Sequence, residues 1–271
     1  MLTNMKEILK QASKENYAIA QFNINNLEWT RFILEECEQQ NQPVILGVSE
    51  GAIKYMGGYT TVVNLIKSLI KDLNITIPVS IHLDHGSSVE SCKKAIEAGF
   101  TSVMIDSSKK PIEENIKDTK EVIQLAYPNI LVESEVGPIG TLKNDHMYTN
   151  VEDCVKLSKT DINLLAPAIG NKHGIYEGQP ILDFKLLQEI KEKTKLPLVL
   201  HGASGLDNKL IKKCIENGIN KINFNTDLQI AWATDVRNYI KENNEYDPRK
   251  IIKSGEKALK TKIKEKLELL K

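Results

Sequence analysis

Of the five histidines in this chain, four (His82, His85, His173 and His201) lie at or just past the ends of short apolar runs, a placement that suits metal chemistry. Neutral imidazoles brought together from separate strand ends make a catalytic Zn²⁺ site, with coordination positions left for a substrate oxygen. A lone histidine is more often a hydrogen-bonded structural residue, but several converging on one mouth are harder to explain that way. His146 sits in a polar loop and reads as ordinary surface. Three carboxylates accompany the histidines: Asp84 beside His85, Asp106 at the end of the next run, and Glu135 on the run after that. Each alone could be a helix cap or an ion-pair partner. At consecutive strand ends beside the histidines, they favour general acid–base work or a second divalent or monovalent cation. His-Gly-Ala-Ser-Gly (201–205) and Asn-Phe-Asn-Thr (223–226) follow the last two runs. Their small residues let backbone N–H groups reach a phosphate, although glycine and asparagine are also common turn residues.

These groups need a scaffold that gathers distant segments. Apolar runs at 17–24, 44–49, 78–84, 102–106, 131–137, 162–169, 196–201 and 221–226 are rich in Val, Ile and Leu, as expected of strands covered on both faces. Amphipathic segments lie between them. Ile33, Leu34 and Cys37 share one face, as do Phe184, Leu187 and Ile190. Asp207 reads as an N-cap, while Gly99 and Gly218 fall where helices would stop. Strand and helix alternating about eight times over ~250 residues give the size of a single (β/α)8 TIM barrel, whose site lies at the C-terminal ends of its strands. A doubly wound open sheet is the main competitor, but no glycine-rich fingerprint follows the first strand. The segment 249–271 reads as a lysine-rich amphipathic helical extension of this one domain. Its stripe of Leu259, Ile263, Leu267 and Leu270 would pack on the barrel exterior or on a partner subunit.

Composition narrows the function classes. The chain has 36 basic and 36 acidic side chains, so no general positive field is available for nucleic acid, and anionic ligands must be held locally. Cys37, Cys92, Cys154 and Cys214 are widely spaced in helical segments and read as reduced thiols. The N-terminal stretch has no apolar core with a cleavage site, and no run approaches the ~20 residues needed to span a bilayer. A cytoplasmic location is expected, with no membrane partner.

In Gln-Phe-Asn-Ile-Asn-Asn (21–26), Gly-Val-Ser-Glu-Gly-Ala (47–52), His-Leu-Asp-His-Gly-Ser (82–87), Gly-Phe-Thr-Ser-Val-Met-Ile-Asp (99–106) and Tyr-Asp-Pro-Arg-Lys (246–250), the sequence resembles the class II fructose-bisphosphate aldolases. The resemblance covers nearly the whole chain. It implies that His85, His173 and His201 hold the zinc, with Asp106 and Glu135 at an alternative or second metal position. Asp84 would be the acid–base group at the C4 oxygen, and Asn223 would contact the enediolate. Gly174, Gly202, Ala203, Ser204, Asn225 and Thr226 would hold the triose phosphate, and Ser49 would meet the other phosphate. Arg249 would reach the distal phosphate from a neighbouring subunit of a homodimer or homotetramer. Retro-aldol cleavage assisted by a metal needs no lysine Schiff base, so the lysines read as surface charge.

The chain departs from the family pattern in three places. Where the family carries Gly-Gly-x-Glu-Asp, this sequence has Gly140-Thr141-Leu142-Lys143-Asn144-Asp145, which puts Lys143 at the proton-transferring glutamate. A lysine accepts a proton only if burial lowers its pKa. Glu177 stands where a lysine often follows, and Ala203 replaces the second glycine of a Gly-Gly pair. Asp145 or Glu177 could take over the proton transfer, and Lys143 could face a phosphate. Fructose 1,6-bisphosphate is the leading substrate. Tagatose 1,6-bisphosphate and 6-phospho-5-dehydro-2-deoxygluconate are alternatives, the last because Ala-Trp-Ala-Thr (231–234) resembles the inositol-pathway branch. A weakly active or non-catalytic phosphosugar-binding paralogue is the remaining reading.

Overall fold

The apolar runs close into a parallel barrel in the computed structural model, which describes residues 1–141, 148–178 and 180–270. The strands are β1 (Ile19–Asn23), β2 (Val44–Ser49), β3 (Val79–Gly86), β4 (Ser102–Ile105), β5 (Leu131–Val136), β6 (Gly140–Thr141), β7 (Leu164–Pro167), β8 (Lys172–His173), β9 (Leu198–Leu200) and β10 (Ile219–Phe224). The helices are α1 (Lys6–Glu15), α2 (Leu27–Gln39), α3 (Glu50–Tyr55), α4 (Tyr59–Asp72), α5 (Val89–Ala98), α6 (Ile112–Ala126), α7 (Val151–Ser158), α8 (Phe184–Thr194), α9 (Asn208–Glu216), α10 (Thr226–Glu242), α11 (Pro248–Lys253) and α12 (Glu256–Leu269). The barrel runs β1-β10-β9-β7-β5-β4-β3-β2, which is the expected TIM architecture.

Strand alternation sends every second side chain inward, and the register stacks those side chains in layers. At the bottom, Ile19, Ile45, Leu131, Leu164 and Val199 form an apolar plug, closed from below by Met5, just before α1, and Leu9 within it. One step higher the interior becomes polar: Gln21, His82, Glu133 and Lys221 are all fully buried. At the mouth, Asn223 of β10 lies beside Gln21 of β1, and Ser49 pairs with Asp84 across β2 and β3. A second, larger apolar shell lies between the barrel and the helices and includes Phe22, Phe32, Val62, Val103, Leu187 and Phe224.

Caps fix where the chain leaves the mouth. Ser49 ends β2, and its hydroxyl accepts from Ala52 N at 3.3 Å, starting α3 at once. Asp207 accepts from Lys209 N at 2.7 Å, as its N-cap reading required. The four cysteines lie in α2, α5, α7 and α9 as buried free thiols. No helix among the described residues is long and apolar enough to cross a membrane.

Three expectations need correction. The sixth run, read over 162–169, pairs in the barrel only over Leu164–Pro167, and the chain then forms β8 beside β6, outside the barrel. The C-terminal segment is two helices instead of one. The break falls at Gly255, where an added Cβ would sit 2.3 Å from the Trp232 ring, so the backbone passes against the indole. Beyond it, Leu259, Ile263, Leu267 and Leu270 are buried, and α12 packs on α2 and α10. Finally, the lysines are not all surface charge, because Lys221 lies inside the barrel with no exposure.

Candidate active site

A cleft of about 240 Å³ opens at the C-terminal end of the barrel, lined by Asn23, Ser49, Asp84, His85, His173, Gly174, His201, Gly202, Ser204, Asn223, Asn225 and Thr226. Simple alternation along β3 would turn His85 away from Asp84. Instead His85 takes a left-handed conformation, φ 54°, where the β3–β4 register shifts, and both side chains face the cleft. That conformation costs a residue with a Cβ roughly 1–2 kcal/mol. Gly86 follows because its backbone meets Met104 O, which would lie 2.6 Å from an added Cβ.

The rings of His85, His173 and His201 have centroid separations of 5.0, 4.6 and 5.8 Å, and each residue offers a nitrogen within 4.8 Å of the others. A second group with the same spacing joins His85 to Asp106 and Glu135. Asp106 Oδ2 lies 2.9 Å from His85 Nδ1, and Glu133 Oε1 lies 2.9 Å from His201 Nε2. Each carboxylate thus anchors one ring nitrogen and leaves the other free of a carboxylate, His201 Nδ1 having the longer contact with the Asn223 amide nitrogen at 3.3 Å. His85 Nε2 and Glu135 Oε2 are buried with no hydrogen-bond partner among the described residues. Three imidazoles around a shared space, one with an orphaned nitrogen, are a donor set that fits a divalent transition metal such as zinc.

Charge is distributed unevenly over this cluster. Burial opposes a charge on His85, but the Asp106 bond and the carboxylates of Asp84 and Glu135 outweigh it and raise its pKa to about 9. Burial and the neighbouring imidazoles push His173 down to about 3. Burial also lowers His201, against the pull of Glu133. Burial and the charge of Asp106 raise Glu135 to about 8. Asp84 goes the other way: burial would raise it, but His85, His201 and Lys221 hold it well below the usual carboxylate range. Both its oxygens accept amide N–H bonds, Oδ1 from Gln21 at 3.1 Å and Asn223 at 3.3 Å, and Oδ2 from Asn23 at 2.7 Å. The cleft therefore holds an ionised, oriented carboxylate beside three imidazoles, of which His173 and His201 are pushed toward the neutral form and His85 toward the charged one. A carboxylate so placed can move a proton next to a Lewis acid.

The opposite wall suits an oxyanion. α10 starts at Thr226 with no cap from the Asn225 side chain, and both residues line the cleft, so the positive end of the helix lies at its wall. Ser204 Oγ accepts from Asn225 N and Asp227 N, both at 3.3 Å, tying the β9 loop to that helix start. Gly202, at φ 65°, passes so close to Lys172 O that an added Cβ would lie 2.1 Å away. Ala203 is fully buried and, unlike Gly202 and Ser204 beside it, does not line the cleft.

The family model for class-II fructose-bisphosphate aldolase matches residues 3–271. The chain belongs to that family. It is 50% identical to the fructose-bisphosphate aldolase of Geobacillus stearothermophilus over 270 residues, 97% of this chain and 94% of the relative. It is equally identical to that of Staphylococcus aureus strain Mu50 over 275 residues, 98% and 96% of the two chains. Among solved structures, the YdjI aldolase of Escherichia coli K12 superposes with a TM-score of 0.89 at 32% identity, covering 100% of this chain and 97% of that one. The Campylobacter jejuni fructose-bisphosphate aldolase does so with a TM-score of 0.82 at 25% identity, covering 99% and 95%. Class-II aldolases are lyases that act on phosphorylated sugars.

Against this class-II background, the cleft gathers His85, His173, His201, Asp84, Asn223, Ser49, Gly174, Gly202, Ser204, Asn225 and Thr226, with Asp106 and Glu135 grouped around His85. His82 is not in the mouth. It lies one layer below, its Nδ1 2.7 Å from Ser102 Oγ, and burial with the charge of Lys221 lowers its pKa to about 3. Arg249 does not line the cleft of its own chain; its side chain is 89% exposed and pairs with Asp247 at 2.7 Å. Glu177 is exposed. Lys143, Asp145 and His146 lie outside the described residues. Sequence reasoning assigned no role to Gln21, Asn23, Glu133 or Lys221. The two β1 amides stand in a quoted stretch, and their spacing of two was the available signal.

Proposed function

We propose that this protein is a zinc-dependent ketose-bisphosphate aldolase that reversibly cleaves fructose 1,6-bisphosphate to dihydroxyacetone phosphate and glyceraldehyde 3-phosphate. The observation that carries this reading is the cluster of His85, His173 and His201 beside the amide-clamped carboxylate of Asp84 in one cleft. His85 through Nε2, His201 through Nδ1, and His173 would hold the ion. When bound, zinc supplies a Lewis acid that offsets the negative charge of the enediolate.

The chain's own residues do the rest. Asp84 takes the proton from the C4 hydroxyl in cleavage and returns it to the aldehyde oxygen in condensation. Gln21 and Asn223 occupy Oδ1 and Asn23 takes one lone pair of Oδ2, which leaves the second lone pair of Oδ2 for that proton. Asn223 also turns an unpartnered Oδ1 to the site, suited to an enediol hydroxyl. The backbone of Gly174 and of 202–204, with the start of α10 at Asn225 and Thr226, holds the triose phosphate, and Ser49 across the cleft meets the second phosphate. Asp106 and Glu135 serve a second or alternative cation. In a homodimer, Arg249 reaches the distal phosphate of the partner's cleft, and the glutamate displaced by Lys143 is compensated by Asp145 or Glu177.

Cleavage of fructose 1,6-bisphosphate by the zinc-loaded protein, with and without chelator, tests the proposal. Chelator-sensitive turnover is expected. Zinc binding without cleavage would move the assignment to tagatose 1,6-bisphosphate or 6-phospho-5-dehydro-2-deoxygluconate. Failure on all three would leave a sugar-phosphate-binding protein.

A further inference from the structure

We infer that Glu133, held by Lys221, is the positioning residue that fixes the tautomer of His201 and so aims its Nδ1 at the metal. The inference rests on the zinc reading above. Glu133 sits on β5 one layer below the cleft, with no exposure, and its two oxygens have different partners. Oε1 meets His201 Nε2 at 2.9 Å, and Oε2 meets Lys221 Nζ at 2.7 Å. A carboxylate so bound to an ammonium is an acceptor only, so the proton between Glu133 and His201 belongs to Nε2. Nδ1 then carries the lone pair. On that side of the ring, the Asn223 amide nitrogen lies 3.3 Å from Nδ1, as a donor should.

A purely structural role accounts poorly for this arrangement. A fully buried ion pair rarely stabilises a fold relative to well-packed apolar residues, and the layer beneath is already a closed apolar plug. What the pair does supply is orientation. Lys221 holds Oε2, which leaves Oε1 to His201, and His82 Nε2, at 3.7 Å from Oε2, makes no hydrogen bond that would compete. The carboxylate–imidazole pairing seen here is the usual means of orienting a metal-binding ring.

Two measurements on the full-length chain test this. In the wild type labelled with ¹⁵N-histidine, His201 should show the Nε2–H tautomer both with zinc and after chelation; an Nδ1–H tautomer would overturn the inference. In competition with a chromophoric chelator, Glu133→Gln and the charge-neutral Glu133→Gln/Lys221→Met should each lose zinc affinity about 10- to 100-fold. If the double variant, folded by circular dichroism, binds zinc as tightly as the wild type, the pair is structural and the inference fails. If the variants do not fold, the tautomer in the wild type decides. A wild type that binds no zinc would defeat the metal reading itself, a result distinct from either of these.

Discussion

Asn23 donates its side-chain amide to Asp84 Oδ2 at 2.7 Å, from a position two residues along the same inward face of β1 as Gln21. Gln21 clamps the other oxygen and has room to do so only because β2 carries Gly47, where an added Cβ would lie 2.4 Å from the Gln21 amide nitrogen. Removing a partner from a buried carboxylate costs about 1–3 kcal/mol, or roughly 5- to 150-fold in an equilibrium or rate. Asn23→Leu should therefore lower kcat for bisphosphate cleavage by that order while zinc content stays at the wild-type level. Unchanged kcat would mean that Asp84 needs no such clamp.

Two left-handed glycines, one after β8 and one after β9, separate strain from collision. Gly178 has φ 86° with nothing among the described residues near an added Cβ, so Gly178→Ala should cost only the conformational term, roughly 1–2 kcal/mol. Gly202 has a similar φ, but its Cβ would run into the Lys172 carbonyl. Gly202→Ala should lower the melting temperature further than Gly178→Ala. It should also raise KM, because the β9 loop must move away from the phosphate wall. Equal melting temperatures for the two variants would contradict the close approach.

Much of this site was legible because its residues stand at strand ends, where a histidine or aspartate interrupts an apolar run. Asp84, His85, Asp106 and His201 could each be read that way, and closure of the barrel then brought them together. Glu133 and Lys221 were not legible for the opposite reason. They lie within strands, where an isolated charge in an apolar stretch resembles a residue on a solvated face. Only the register shows that they point inward together, flanked by Ile19 and Leu164. Gly255 was missed because helical periodicity runs on through it; the break comes from the Trp232 ring, a tertiary contact. The β6–β8 pair likewise depends on two loops meeting above the barrel rather than on a pattern within either loop.

Two carboxylates away from the histidine cluster should set an acid limit on stability. At Glu38, burial would raise the pKa, but the Thr76 side chain, the Ile77 and Thr76 N–H groups and the N-terminal charge lower it. At Glu50, burial is likewise outweighed by the hydroxyl of Ser91 and by the N–H and hydroxyl of Ser87, the residue that follows His85-Gly86. A depressed folded pKa contributes stability that is complete above the unfolded value of about 4.3 and is lost as pH falls through the folded one. The melting temperature should thus fall as pH drops below that ordinary carboxylate value. Glu38→Gln/Glu50→Gln should lower it at neutral pH while flattening its acid dependence. A double variant with the wild-type acid slope would show that other groups set the limit.

Arg249 bears on the quaternary reading. Its guanidinium is almost fully exposed, pairs with Asp247 two residues away, and does not line the described cleft of its own chain. If it serves a partner's cleft, Arg249→Ala should raise KM for the bisphosphate and leave the melting temperature unchanged. The sharper test mixes subunits. An Asp84→Ala subunit lacks the proton carrier but still offers its arginine, whereas an Arg249→Ala subunit has the reverse defect. In a twofold dimer, the mixed species holds one site with both groups. Co-refolding equal amounts should restore roughly a quarter of wild-type activity at low substrate, since half the dimers are mixed and each has one complete site. Activity no higher than the average of the two parents would show that Arg249 does not act across a subunit boundary, and the homodimer would lose its catalytic rationale.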